Sequence, residues 1–195
     1  SGPQSLSSET ASQLSSGVSN IYTNGFAVAA LKSDGSVITW GSSNYGGDSS
    51  AVSSGLSSGV TNIYSTGLGA FAALKSDGSV ITWGNPERGG DSSAVSSGLS
   101  SGVINIYSNS FGVVALKADG SIIVWGNHFD DPSAISADLS SGVSNIYSTT
   151  RAFAALVTDS DGDGVGDNSD AFPDDPSESA DSDGDGVGDN SDPFP

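Results

Sequence analysis

Near one end of the chain, aspartates recur at a fixed spacing. Asp159, Asp161, Asp163, Asp167 and Asp170 stand at positions 1, 3, 5, 9 and 12 of a twelve-residue stretch. Asp181, Asp183, Asp185, Asp189 and Asp192 stand at the same positions of a second stretch, 22 residues further on. Carboxylates so spaced point to Ca²⁺, a hard cation that takes about 6–8 oxygen ligands from a loop of this length. The backbone carbonyls of Val165 and Val187 fall at position 7, where such a loop also donates oxygen. Gly164 and Gly186 fall at position 6, where the chain must turn sharply. An acidic tail without an ion has no reason to repeat a loop with matched glycines. The expected cofactor is therefore Ca²⁺, held by these ten aspartates and two valine carbonyls.

Two features depart from a helix–loop–helix calcium hand. Position 12 is Asp rather than Glu, and no helical pattern flanks either loop. Between the loops runs Ala171-Phe172-Pro173-Asp174-Asp175-Pro176-Ser177-Glu178. Residues 159–195 resemble the thrombospondin type 3 repeat, and the resemblance implies more than one ion per repeat.

Charge is placed to match. The chain of 195 residues carries a formal net charge of −18, and residues 159–195 hold 13 acids with no Lys or Arg. Such a tail repels nucleic acid and anionic membrane, so neither is an expected partner. It also repels itself unless cations occupy it. With no Cys and no Met, disulfides and thiolate metal sites are excluded. No stretch is long and apolar enough to span a bilayer as a helix, so membrane insertion is not expected.

The residues before the tail form a repeat. Ala-Leu-Lys-Ser-Asp-Gly-Ser-Val-Ile-Thr-Trp-Gly occupies residues 30–41 and recurs unchanged at 73–84. It recurs at 115–126 with Ala118, Ile122 and Val124 as the changes. A fourth copy starts at Ala155-Leu156 and then runs into the first aspartate loop. Ser-Ser-Gly-Val begins at residues 15, 57, 100 and 140, at spacings of 42, 43 and 40. A period near forty is the length of one propeller blade or a similar unit.

Each unit reads as short strands. Residues 17–22 carry β-branched and aromatic residues after a Gly, and residues 26–31 form a more apolar run. Ser33-Asp34-Gly35 is a hairpin signal, because Asp and Gly suit a tight turn. Residues 36–40 make a third strand, and the polar connector to Leu56 has room for one more. No helical period is sustained, so the fold class expected is all-β. Val28, Phe71, Val113 and Phe153 share one buried position; Leu31, Leu74, Leu116 and Leu156 share another. Ala30, Ala73, Ala115 and Ala155 share a third. One unit is too small to bury its apolar face alone, so neighbours must stack.

Gly-Val, Ile-Tyr and Ala-Leu-Lys-x-Asp-Gly-x-Val-Ile-x-Trp-Gly, in that order, resemble the regulator of chromosome condensation repeat. The version is similar to that of the propeller-type β-lactamase inhibitor family of bacteria. The resemblance covers residues 15–157 and implies a β-propeller, usually of seven blades. Three full units and one partial unit exclude a seven-bladed ring within this chain. A ring of four, an open arc, or closure by another chain remain. The expected organisation is an N-terminal connector at 1–14, a propeller-like array at 15–157, and an irregular calcium-stabilised segment at 158–195.

Other residues carry less. Trp40, Trp83 and Trp125 stand at a fixed repeat position, which favours packing between blades over a ligand surface. The connectors differ: Asn44-Tyr45-Gly46-Gly47-Asp48 becomes Asn85-Pro86-Glu87-Arg88-Gly89-Gly90-Asp91, then Asn127-His128-Phe129-Asp130-Asp131. Variable loops on a constant scaffold suit a protein or glycan ligand, or drift without function. His128 is the single histidine and has no His or Cys cluster around it in sequence. Asp34, Asp77 and Asp119 are turn residues rather than paired catalytic acids, so no enzyme is expected. Together these features suggest a secreted bacterial surface module. It would be a calcium-stabilised subunit of an adhesin, stalk or extracellular filament that self-associates head to tail through its repeat ends. The alternative is a protein- or glycan-binding propeller module.

Overall fold

The computed structural model describes residues 7–127, 139 and 141–195. It is nearly all-β. Three antiparallel sheets of three strands are followed by one of two strands. The first holds β1 (Val18–Thr23), β2 (Ala27–Lys32) and β3 (Val37–Gly41). The second holds β4 (Val60–Thr66), β5 (Ala70–Lys75) and β6 (Val80–Gly84). The third holds β7 (Val103–Ser108), β8 (Gly112–Lys117) and β9 (Ile122–Gly126). The last holds β10 (Val143–Ser148) and β11 (Phe153–Val157). Each sheet is one blade of a propeller-like repeat array. The register repeats as the sequence does: Phe71 pairs with Trp83 as Val28 pairs with Trp40 and Val113 with Trp125.

The middle strand of an inner blade is apolar on both faces because both faces are covered. Ala27, Ala29 and Leu31 of the first blade meet Ile63, Phe71, Ala73 and Trp83 of the second, with Leu56 from the connector. Ala72 and Leu74 meet Ile106, Val113, Ala115 and Trp125 in the same way. Val114 and Leu116 meet Val143 and Ile146. The core is thus three layers, each lying between two blades.

Polar links repeat with the layers. The Tyr22 hydroxyl donates to Asn62 Oδ1 at 2.8 Å, Tyr64 to Asn105 at 2.9 Å, and Tyr107 to Asn145 at 3.0 Å. At the hairpin corner the Val60 N–H donates to the Gly35 carbonyl at 3.0 Å, as Val103 does to Gly78 and Val143 to Gly120. A Cβ on Gly35 would lie 2.7 Å from the Gly59 nitrogen, and φ there is +78°. Only glycine combines that conformation with that approach.

The end faces of the array are open. Ile63, Ile106 and Ile146 are buried, but their counterpart Ile21 is 63% exposed. At the other end Tyr147 is 59% and Leu156 53% exposed. Among the described residues the fourth blade therefore does not cover the first, and they form an open arc rather than a ring of four.

Two expectations need correction. Within the N-terminal connector, Ser8–Gln13 forms a short helix, α1, capped by the Ser7 hydroxyl oxygen accepting from the Thr10 N–H. The connectors after the first two blades hold no added strand. The first is made of 3₁₀ turns at Ser43–Tyr45, Ser50–Val52 and Gly55–Ser57. Their Ser and Asp side chains bond nearby backbone, as Asp48 accepts from the Ser50 N–H, and this competes with strand pairing.

Candidate functional site

The fourth blade keeps the repeat geometry as far as Thr158. Its N–H donates to the Gly142 carbonyl at 3.0 Å, as Ser33 does to Gly17 at 2.8 Å. There the hairpin would follow, and the first aspartate loop takes its place. The loop is held to the blade by the Asp167 N–H on the Thr158 carbonyl and the Ser141 hydroxyl on Asn168 Oδ1.

The two loops fold alike. Asp159 accepts from the Gly162 and Gly164 N–H groups, and Asp181 from Gly184 and Gly186. Asp161 accepts from the Asp163 N–H and Asp163 from Val165; Asp183 and Asp185 do the same with Asp185 and Val187. Gly164 and Gly186 have φ of +96° and +90°, the left-handed turn expected at position 6. The result brings one carboxylate oxygen each of Asp159, Asp161 and Asp163 within 4.8 Å of one another, and likewise those of Asp181, Asp183 and Asp185.

Asp170 is near the first group but is not one of its three converging carboxylates. It is buried, and its charge acts on Asp161. Burial, then the charges of Asp163, Asp170 and Asp159, push the Asp161 carboxyl above the usual aspartate range. Asp161 Oδ2 and Asp170 Oδ2 are enclosed by protein yet have no hydrogen-bond partner. Enclosed carboxylate oxygens without a donor fit a hard cation, whose charge would supply what the N–H groups do not.

Asp167 and Asp189 stand apart from these groups. Both oxygens of Asp167 accept from Ser160, through its N–H at 2.7 Å and its hydroxyl at 2.9 Å. Asp189 does the same with Ser182. These bonds hold Asp167 below the ordinary aspartate value, the backbone N–H of Ser160 first. The two residues pin the base of each loop. Asp192 accepts from the Phe194 N–H at 2.8 Å, as Asp170 does from Phe172.

Sequence reasoning missed Glu178. It is buried, and its carboxylate accepts from the Asn190 N–H at 3.0 Å and from the Ser191 hydroxyl. Asn190 Nδ2 in turn donates to the Ser177 carbonyl at 2.7 Å. Glu178 thus ties the linking segment to the second loop. Its lack of a counterpart in the first loop hid it from a repeat comparison.

The connectors gather a second group. Tyr45 stacks on Phe26 with ring centroids 4.4 Å apart. Arg88 lies 4.8 Å and Arg151 5.6 Å from the Phe111 ring centroid. The two arginines of the chain therefore meet at one aromatic ring. His128, Phe129, Asp130 and Asp131 lie outside the described residues. Trp83 and Trp125 are buried and belong to the core, not to this rim.

No protein-family model matches the chain, and no curated protein is significantly similar to it. Solved structures are similar to part of the chain. The entire ectodomain of the Physcomitrella patens receptor kinase CR4 is 17% identical, over 72% of this chain and 36% of that one, with a TM-score of 0.44. The CRINKLY WD40 ectodomain of the Arabidopsis thaliana receptor kinase ACR4 is 18% identical, over 72% of this chain and 47% of that one, with a TM-score of 0.46. Prp20p of Saccharomyces cerevisiae, whose binding to Gsp1p and histones that structure describes, is 20% identical over 56% of this chain and 30% of its own, with a TM-score of 0.40. This chain spans less than half the length of each.

Proposed function

We propose that the chain is a non-catalytic, calcium-ordered structural module of the extracellular or cell-surface kind, built to associate end to end in an adhesin, stalk or filament. One observation carries the end-to-end reading. A tyrosine–asparagine bond crosses each of the three blade boundaries, and its two halves recur at the ends without a cross-blade partner among the described residues, Asn20 Nδ2 donating instead to the Tyr22 hydroxyl of its own blade. Tyr147 projects from the last blade beside exposed Leu156, and Asn20 lies on the first blade beside exposed Ile21. A second copy offers each half its complement. Such a contact joins two different surfaces and propagates unless its rotation closes.

Calcium belongs to the same reading. The enclosed oxygens of Asp161 and Asp170 support a cation in the first loop, and the equivalent fold of the second supports another. Loops of extracellular modules bind with Kd of about 10⁻⁴–10⁻³ M, which suits the millimolar calcium outside cells. The test is sedimentation velocity on the calcium-saturated chain. Mass is expected to rise with concentration and to fall back to the monomer in Leu156→Glu and in Ile21→Glu. A monomer at every concentration sinks the end-to-end reading.

The connector rim favours a second reading, a protein- or glycan-binding module. Arg88 and Arg151 bring two of the five positive charges of an acidic chain to the Phe111 ring, and Tyr45 stacks on Phe26. A carboxylate-bearing ligand suits that arrangement.

A further inference from the structure

We propose that the first aspartate loop serves as a corner of the fourth blade, clasped to it by Asn168 and Ser141, so that cation binding in this loop and closure of the blade favour one another. The inference rests on the calcium reading above and not on end-to-end contact.

In the three full blades a lysine closes this corner. The Cε atoms of Lys32, Lys75 and Lys117 lie 3.3–3.4 Å from where a Cβ on Gly17, Gly59 and Gly102 would stand. Lys75 Nζ donates to the Gly55 carbonyl at 3.0 Å, and Lys32 Nζ to that of Gln13 at 3.3 Å. In the fourth blade Val157 pairs with Val143 as Lys32 pairs with Val18, so valine holds the lysine position. The corner glycine is Gly142, and the carboxamide of Asn168 lies over it: a Cβ there would meet Asn168 Nδ2. The Ser141 hydroxyl donates to Asn168 Oδ1 at 2.6 Å. A Cβ on Gly166 would lie 3.3 Å from Val157 Cγ2, so the loop backbone packs on the blade as well.

The second loop is built alike but docks elsewhere. Asn190 is the counterpart of Asn168, 22 residues further on. Its Nδ2 donates to the Ser177 carbonyl and its N–H to Glu178. The Asp189 N–H donates to the Ala180 carbonyl, as Asp167 does to Thr158. The tenth residue of each loop therefore fastens it to the chain before it. In the first loop that chain is a blade; in the second it is the linking segment.

Cation and blade act on one loop conformation. Thr158 stands between them. Its N–H donates to the Gly142 carbonyl, its own carbonyl accepts from Asp167, and the next residue is Asp159. The conformation docked on the blade is the one in which Asp159, Asp161 and Asp163 converge. In it, Oδ2 of Asp161 and Oδ2 of buried Asp170 have no donor. A cation favours this conformation through the carboxylates, and the blade favours it through Asn168. Asn168 gives its carboxamide to the blade, which makes it a positioning residue rather than a ligand. Two partners that select one conformation assist each other by the same factor, about 5–150-fold in typical cases.

Hydrogen exchange, read by mass spectrometry on the dilute full chain, tests the coupling. Exchange in residues 143–157 should slow at least fivefold in millimolar calcium relative to chelator. Exchange in β5 should not change, in the parent chain or in any variant, which checks that each variant folds. Asn168→Ala should abolish the slowing and, by reciprocity, weaken the first calcium site at least fivefold. Ser141→Ala should reduce the slowing, and Ser141→Thr, which keeps the hydroxyl, should restore it. Asn190→Ala should leave it intact. Calorimetry separates this proposal from the reading it rests on. Heat of calcium binding without slower exchange in 143–157 overturns the coupling alone, and no heat overturns both. Full slowing in Asn168→Ala, or an equal loss in Asn190→Ala, also overturns the proposal.

Discussion

The indole Nε1 of Trp83 donates to the carbonyl oxygen of Gly46 at 3.1 Å, across the boundary between the first and second blades. Trp125 makes the same bond to Gly89 at 3.0 Å. Each tryptophan thus fills a layer and satisfies its one polar atom on the connector that enters its blade. Trp83 also stacks on Phe71, with centroids 5.2 Å apart. Trp83→Ala should cost roughly 3–5 kcal/mol through the cavity it leaves. Trp40, half-buried on the outer face of the first blade, should cost less. Urea unfolding of the two variants checks the order; equal losses would contradict it.

Gly78 should tolerate no side chain. Its φ is +75°, and a Cβ would lie 2.7 Å from the Gly102 nitrogen. The left-handed conformation alone costs roughly 1–2 kcal/mol for Ala, and the Val103 N–H to Gly78 carbonyl bond would stretch as the corner moved. Gly25 also has positive φ, but no atom stands within 4 Å of its Cβ. Gly78→Ala should therefore lower the melting temperature more than Gly25→Ala.

Calcium should order residues 159–195 without changing the first three blades. Protease should cut this segment in chelator while residues 15–127 survive. Asp163→Ala and Asp185→Ala should each weaken one site by at least tenfold in calorimetry. Ser160→Ala, which frees one oxygen of Asp167 and leaves the other on the backbone N–H of residue 160, should weaken the first site less, because it loosens the loop without removing a converging carboxylate. No heat of binding at millimolar calcium would refute the assignment.

Acid should loosen the hairpins. The Ser36 hydroxyl and N–H hold the Asp34 carboxyl below its ordinary value, and Ser79 and Ser121 do the same for Asp77 and Asp119. A carboxyl depressed on folding contributes stability that is present above its unfolded pKa, about 4. That contribution is lost as pH falls through the folded value. Asp161 runs the other way: its raised carboxyl penalises the ion-free fold at neutral pH and relaxes on protonation. Melting followed in chelator from pH 6 to 2 should show an acid limb that flattens in a triple variant with Asn at residues 34, 77 and 119.

The repeat was readable because period-2 apolar runs, an Asp-Gly turn and a Trp recur in fixed order, and each has one structural use. Ala30, Ala73 and Ala115 were rightly assigned to the core. The alanine and leucine columns mislead at Ala155 and Leu156, which are exposed because burial there depends on neighbours not found among the described residues. Ser8–Gln13 escaped notice since five polar residues and Ala11 make no apolar face; a single cap suffices for one turn and a half. In the acidic loops, spacing located the converging aspartates but did not separate them from Asp167 and Asp189. That distinction lies in serine hydrogen bonds, and Ser160 and Ser182 look like filler in a Ser-rich sequence.

The stacking of each blade on its neighbours alone sets a gradient of protection along the molecule. The second blade is clamped on both faces, and the fourth is held on one face by two strands. Opening the fourth blade breaks one layer, whereas opening the second breaks two. Amide hydrogens of β5 should exchange only in the deepest openings, and those of β11 in the shallowest. Unravelling under tension or heat would then start where the acidic loops join the array and run backwards, blade by blade. A cation seated at that junction would act as a stopper in the thread, placed at the one point where pulling begins.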